Sequence, residues 1–160
     1  MASHAFTTCL WFDGQAEEAA NHYTMIFERS KMGRTVPYPE GGRGTPGGVM
    51  VAEFELNGQK FVGLNGGPDF KFNESISFQV HCDDQDEVDY YWGRLSAGGE
   101  EGECGWLKDK FGVSWQVIPR RLTELITDPD PEKAKRATDA MLSMQKLDIA
   151  ELERAYAEAG

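Results

Sequence analysis

A short motif occurs twice in this chain. Asp13-x-Gln15-x-Glu17 returns as Asp83-x-Gln85-x-Glu87, a shift of 70 residues from 13 to 83. The residues before both copies alternate in the same phase. Phe6, Thr8 and Leu10 match Ile76, Phe78 and Val80, while Thr7, Cys9 and Trp11 match Ser77, Gln79 and His81. Such alternation gives a strand one apolar face and one more polar face. After each copy the period becomes helical. Ala16, Ala19, Ala20, Tyr23 and Phe27 share one face, as do Val88, Tyr91, Trp92 and Leu95, and these stripes align better at an offset of 72. A strand–helix pattern that recurs within one chain points to a duplicated βαβββ unit.

The remaining elements follow from local signals. A first strand is expected over 6–12 and a helix over 15–28. The run 37–48, PYPEGGRGTPGG, reads as a loop, either a flap over a ligand or a plain connection. Strands at 49–56 and 60–65 should form a hairpin around Asn57-Gly58. In the second half a strand is expected over 74–81 and a helix over 84–95, with Asp84 and Glu87 as a capping box. AGGEEGE then reads as a turn, and strands are expected at 104–108 and 113–118.

Beyond Pro119 the pattern is helical. Leu122, Leu125 and Ile126 mark one short helix. Pro131 suits the first position of a second, capped by Asp130, and Asp148 with Glu151 opens a third. Short amphipathic helices cannot bury their stripes alone. The expected organisation is α+β: two βαβββ modules over 1–119 forming a curved mixed sheet, or cup, and a helical extension over 120–160 packing on that domain or on a dimer partner.

Composition narrows the function classes. The chain has 160 residues, 40% apolar, enough for a real core, and a formal net charge of −11 that repels phosphate backbones and anionic membranes. No nucleic-acid or membrane partner is expected. The N-terminal residues show no basic region followed by an apolar run. Cys9, Cys82 and Cys104 fit no zinc knuckle or CxxC spacing and read as free thiols in a reducing, cytoplasmic setting. Gly41-Gly42 and Gly47-Gly48 do not sit in a strand–GxGxxG–helix context, so no nucleotide-type cofactor is expected.

Three stretches, LWFDGQAEEAANHY, FQVHCDDQDEVDYYWGRL and CGWLKDKFGVSWQVIP, together resemble the vicinal-oxygen-chelate superfamily of glyoxalases, bleomycin resistance proteins and extradiol dioxygenases. Within it the chain looks like the PhnB-like, or 3-demethylubiquinone-9 3-methyltransferase-like, branch. The resemblance covers residues 5–119, and the tail ITDPDPEKAKRATDAML is similar to tails of that branch. It implies a cup, pairing as a homodimer, and a divalent metal held by one His, Gln or Glu from each of four strands. At those positions this chain offers Thr7, then Gly63 or Asn65, then Ser75 or Ser77, then Gln116. Hydroxyls and neutral amides replace imidazole and carboxylate poorly, so no metal is expected at the usual constellation.

The residues leave three functions open. The first is binding of an unidentified small molecule, with Thr7, Trp11, Asn65, Ser77, Gln79, Trp106 and Gln116 as candidate contacts. The second is an isomerase, lyase or other enzyme using His81 with Cys9 or Cys104. The third is a structural dimer. Adjacent strand residues point to opposite faces, so His81 and Cys82 are no ready pair. A structural histidine and a proton-transfer or ligand role are both open for His81, while His4 and His22 read as surface residues. Trp11, Trp106 and Trp115 suit an aromatic cavity or a core, and Trp92 suits the core.

Overall fold

The computed structural model describes residues 6–158, so His4 lies outside the described residues. The chain divides into two units, one ending at Phe72 and one beginning at Asn73. Each contains a four-stranded mixed sheet and a helix in βαβββ order, and the second also carries the helical tail.

In the first unit, β1 (Thr8–Phe12) leads into α1 (Ala16–Ile26), followed by β2 (Lys31–Pro37), β3 (Val49–Leu56) and β4 (Gln59–Asn65). The sheet order is β1-β4-β3-β2, with β1 parallel to β4. Asn57-Gly58 makes the two-residue hairpin turn with both φ positive, 51° and 82°, as a type I′ turn demands. Alternation directs Leu10, Phe12, Ala52, Phe54, Leu56 and Phe61 into the core, where Phe54 and Phe61 stack at 5.4 Å. The helix meets them through Ala16, Ala19, Ala20, Tyr23 and Ile26. Small residues bring it close: a Cβ added to Gly63 would stand 3.0 Å from the Cβ of Ala16.

Strand β2 has no counterpart in the sequence reading. It is an edge strand, mostly exposed, with a register irregularity between Met32 and Thr35. An edge strand buries little, so it has no need of alternating apolar residues. The loop beyond it is held in place: Tyr38 N–H donates to the Gly48 carbonyl (2.9 Å), and the Tyr38 hydroxyl donates to the Asn65 carbonyl.

The second unit runs β5 (Ser77–Cys82), α2 (Gln85–Ser96), β6 (Glu100–Glu101), β7 (Trp106–Lys108) and β8 (Ser114–Pro119), in the order β5-β8-β7-β6. The two-residue β6 lies in the stretch expected to be a turn. Val88, Trp92 and Leu95 of α2 are buried, as are Leu107, Trp115 and Val117 of the sheet. Buried Asp109 organises the β7–β8 connection. It accepts from Phe111 N (2.9 Å), Val113 N (3.0 Å) and Trp115 Nε1 (2.8 Å).

The tail consists of α3 (Arg120–Ile126), α4 (Pro131–Leu142) and α5 (Ile149–Ala157). Asp130 and Asp148 cap α4 and α5 through their side chains. Leu122, Leu125, Ala137, Leu147 and Leu152 form a buried cluster with Ile118 of β8. Gln85 ties this tail to α2: its Nε2 donates to the Leu147 carbonyl (3.0 Å) and its Oε1 accepts from Ile149 N (2.9 Å). The helical stripe is thus covered within its own chain. Among the described residues, no helix is long and apolar enough to cross a membrane.

Candidate functional site

Each sheet buries one face under its helix and leaves the other open. In the first unit the register aligns Cys9 with Val62 and Glu53, and Trp11 with Leu64 and Val51, all on the open face. The Trp11 ring is fixed there. Its Nε1 donates to the Gly67 carbonyl (2.9 Å), Phe70 meets it edge-on at 4.9 Å, and a Cβ on Gly66 would come within 2.4 Å of the indole. Thr7 lines a cleft of about 290 Å³ with Lys31, Glu53, Glu55, Lys60 and Val62. Across the strands, Arg34 pairs with Glu53 at 2.9 Å and Lys31 with Glu55 at 4.0 Å.

Asn65 lies on the opposite face. It pairs with buried Phe12, its Oδ1 accepts from Ala16 N at the start of α1 (2.9 Å), and its Nδ2 donates to the Val49 carbonyl (2.9 Å). Its amide is spent inside the fold. Gly63, the alternative at that position, packs against Ala16 on the same face.

The second unit gathers more of the expected residues. Gln79 pairs with Gln116, which pairs with Trp106, and Ser77 pairs with Ser114, which pairs with Lys108. Period two puts all of them on the open face. Gln116 Nε2 donates to Ser77 Oγ at 2.7 Å, and Gln79 Nε2 reaches Gln116 Oε1 at 3.4 Å. This polar row runs beside the half-buried Trp106. His81 is exposed farther along β5, opposite Ile118. Trp115 points the other way into the core, as does Trp92, whose Nε1 donates to Glu101 (3.0 Å).

The thiols are poorly placed for nucleophilic work. Burial pushes all three above the ordinary cysteine value, and Cys82 reaches about 12, with Glu87, Asp83 and Asp84 adding to the shift. The thiolate is the reactive form. Cys104 precedes β7, and β8 stands between β7 and the strand that carries His81. Two strand spacings, roughly 9–10 Å, exceed hydrogen-bond reach. Cys9 belongs to the first unit and His81 to the second.

The metal set that the resemblance implies does not fit. The open face of β4 presents Val62 and Leu64 rather than a carboxylate, and Ser77 and Gln116 bond to each other. Among the described residues, no three His, Cys, Asp or Glu side chains converge to hold an ion.

Two βαβββ units, each with one helix-covered and one open sheet face, define the class of the paired-module proteins. The fosfomycin resistance protein FosX from Mesorhizobium loti has that fold: it superposes over 80% of this chain and 100% of its own with a TM-score of 0.57 at 11% identity. A Pseudomonas aeruginosa protein does so over 73% and 98%, with a TM-score of 0.60 at 18% identity. Residues 4–118 match the family described as 3-demethylubiquinone-9 3-methyltransferase, and the chain belongs to that family. The PhnB protein from Bacillus cereus is 36% identical over 72% of this chain and 99% of its own, with a TM-score of 0.67. No curated protein matches the chain.

Proposed function

We propose that this protein binds a small organic molecule on the open face of its second unit, with no divalent metal taking part. One observation carries this reading. Ser77, Gln116 and Gln79 form a side-chain row along β5 and β8, beside the Trp106 ring on β7. An aromatic wall with a few convergent polar groups is the ordinary make-up of a ligand site. Trp11 and Phe70 give the first unit's open face its own aromatic surface, and Thr7, Cys9 and Trp11 are proposed as ligand contacts on that unit's own face. His81 is proposed as an exposed ligand contact at the end of the row. A thiol-assisted reaction has less support, because the cysteines are held protonated. Methyl transfer, which the family's description names, has no glycine-rich strand–loop–helix to support it.

An NMR titration of the full chain with benzyl alcohol, a neutral aromatic probe, tests the reading. The expected result is saturable shifts at the Trp106 indole N–H and the Gln79 and Gln116 side-chain amides, lost in Gln116→Leu. Shifts confined to other surfaces, or none, refute it. We also propose a homodimer in a reducing, cytoplasmic compartment. The tail does not call for a partner, but Phe70 and Ile76, 66% and 73% exposed, leave apolar area uncovered. Sedimentation at micromolar concentration should give twice the chain mass; a monomer at all concentrations rejects the pairing.

A further inference from the structure

Ser114 opens β8 on the open face, yet it is 1% exposed and its hydroxyl makes no hydrogen bond. A buried hydroxyl without a partner is costly and uncommon. The register shows what covers it. Ser114 pairs with Lys108 of β7 on one side and with Ser77 of β5 on the other. The Lys108 ammonium forms an ion pair with Glu74, in the turn before β5. Because β8 stands between β7 and β5, that pair crosses β8 at its Ser114 end. The strap is a light one. The Glu74 side chain is 58% exposed and that of Lys108 35%, and an ion pair so exposed contributes at most about 1 kcal/mol. Beside it lies a recess of about 190 Å³, walled by Glu74, Glu100, Trp106, Lys108 and Ser114. That is roughly six water molecules' worth of space, room for a ring with a short arm.

Hydrogen-bonding capacity decides what would fit. Lys108 offers only donors. Ser114 adds a hydroxyl whose proton is unused, since neighbouring Ser77 bonds with Gln116 instead. An ammonium and a hydroxyl donor therefore stand side by side, and the group that the ammonium already holds is a carboxylate. Glu74, tethered to its turn, does not bond to the hydroxyl. A free carboxylate can accept from both. Exchanging one carboxylate for another keeps Lys108 paired and adds the hydrogen bond that Ser114 lacks. Tying the turn to the sheet would explain the ion pair alone. It does not explain an unpartnered hydroxyl beneath that pair, next to a recess with a tryptophan wall.

We propose that the second unit's open face takes a small aromatic carboxylate, which displaces Glu74 from Lys108. One carboxylate oxygen accepts from Lys108 Nζ and the other from Ser114 Oγ, and the apolar body lies in the recess against Trp106. The proposal rests on the reading of this face as a ligand site and adds the charge of the ligand and the side chain it replaces.

Two probes of similar size separate the proposal from that reading. Phenylacetate and benzyl alcohol are titrated into the full chain at neutral pH and followed at the Trp106 indole N–H. Phenylacetate should bind about fivefold more tightly, because it gains a charge-assisted hydrogen bond from Ser114. The chain's net charge of −11 opposes that preference, so overall charge cannot produce it. Glu74→Gln, an exposed change that frees Lys108, should strengthen phenylacetate about a further fivefold. Glu132→Gln, which removes one negative charge from α4, should leave it within about 1.5-fold of the parent. Lys108→Gln should abolish the preference. Ser114→Ala should weaken phenylacetate about fivefold and benzyl alcohol less than about twofold. Equal affinities for the two probes in the parent, or tighter benzyl alcohol, overturn the carboxylate assignment and leave the ligand site standing. Equal rises in Glu74→Gln and Glu132→Gln, or none in either, overturn the exchange. No response from either probe at the Trp106 indole N–H or the Gln116 amide overturns both.

Discussion

The two units solve the same folding problem with different residues. In the first, α1 begins at Gln15, whose side chain makes no cap bond; Asn65, far away on β4, accepts from Ala16 N instead. In the second, α2 is capped locally by Asp84, which accepts from Glu87 N (2.9 Å), while Glu87 reaches back to Asp83 N (2.7 Å). The sheets explain the difference. Asn65 pairs with Phe12, and the matching partner of Cys82 is Pro119, which has no side-chain acceptor to lend. The open faces differ too. Cys9 and Trp11 adjoin Val62 and Leu64, whereas Gln79 adjoins Gln116. Duplication has kept the burial pattern, while the hydrogen-bonding row belongs to the second unit. That unit also uses its copy of the repeated motif to hold the tail, through Asp83 on Arg120 (2.9 Å) and Gln85 on residues 147 and 149.

The hairpins should give the largest contrast. Asp109→Ala strands the buried N–H of Val113 and the Trp115 indole N–H, a loss of about 2–6 kcal/mol at about 1–3 per orphaned group. Gly58→Ala in the first unit meets no neighbour but must keep its φ of +82°, costing about 1 kcal/mol. Urea unfolding measures both; equal losses would break the contrast.

Helix starts come next. Asn65→Ala should cost about 2 kcal/mol, because the buried Ala16 N–H and the half-buried Val49 carbonyl lose a partner. Asp84→Ala, at an exposed cap, should cost about 1 kcal/mol. The motif glutamines should differ less. Gln85→Ala should cost about 1 kcal/mol and speed proteolysis between α4 and α5, whereas Gln15→Ala should stay within about 0.5 kcal/mol of the parent.

The smallest effect is a pH dependence confined to the tail. Tyr156 donates to Asp128 (2.6 Å), which holds the Asp128 carboxyl below its ordinary value and the Tyr156 phenol above its own. The lowered carboxyl contributes stability above about pH 4 that fades as pH falls through its folded value. The raised phenol contributes stability below about pH 10 that is lost as pH rises through its folded value. Tyr156→Phe should flatten both limbs in unfolding curves taken across pH.

Much of this fold is legible in the sequence because burial writes itself as period. The strand phases before Asp13 and Asp83, the Asn57-Gly58 hairpin and the three tail helices all carry such signals. Strands β2 and β6 do not, since exposed edges place no demand on side-chain alternation. The candidate site divides the same way. Alternation places Ser77, Gln79 and Gln116 on one face, and Thr7, Cys9 and Trp11 on another. It also puts Asn65 in phase with Phe61, under the helix, but that depends on knowing which phase of β4 is buried.

The central claim is recognition of a small molecule by the second unit's own side chains, without a metal. The direct measurement is the NMR titration with benzyl alcohol on protein purified without chelators, repeated in millimolar EDTA. The account predicts the same affinity, within about twofold, and the same shifts at Trp106 in both conditions, since Ser77, Gln79, Gln116 and Trp106 offer a hydroxyl, amides and an indole rather than metal ligands. Binding that disappears in EDTA and returns with added zinc or manganese would contradict it.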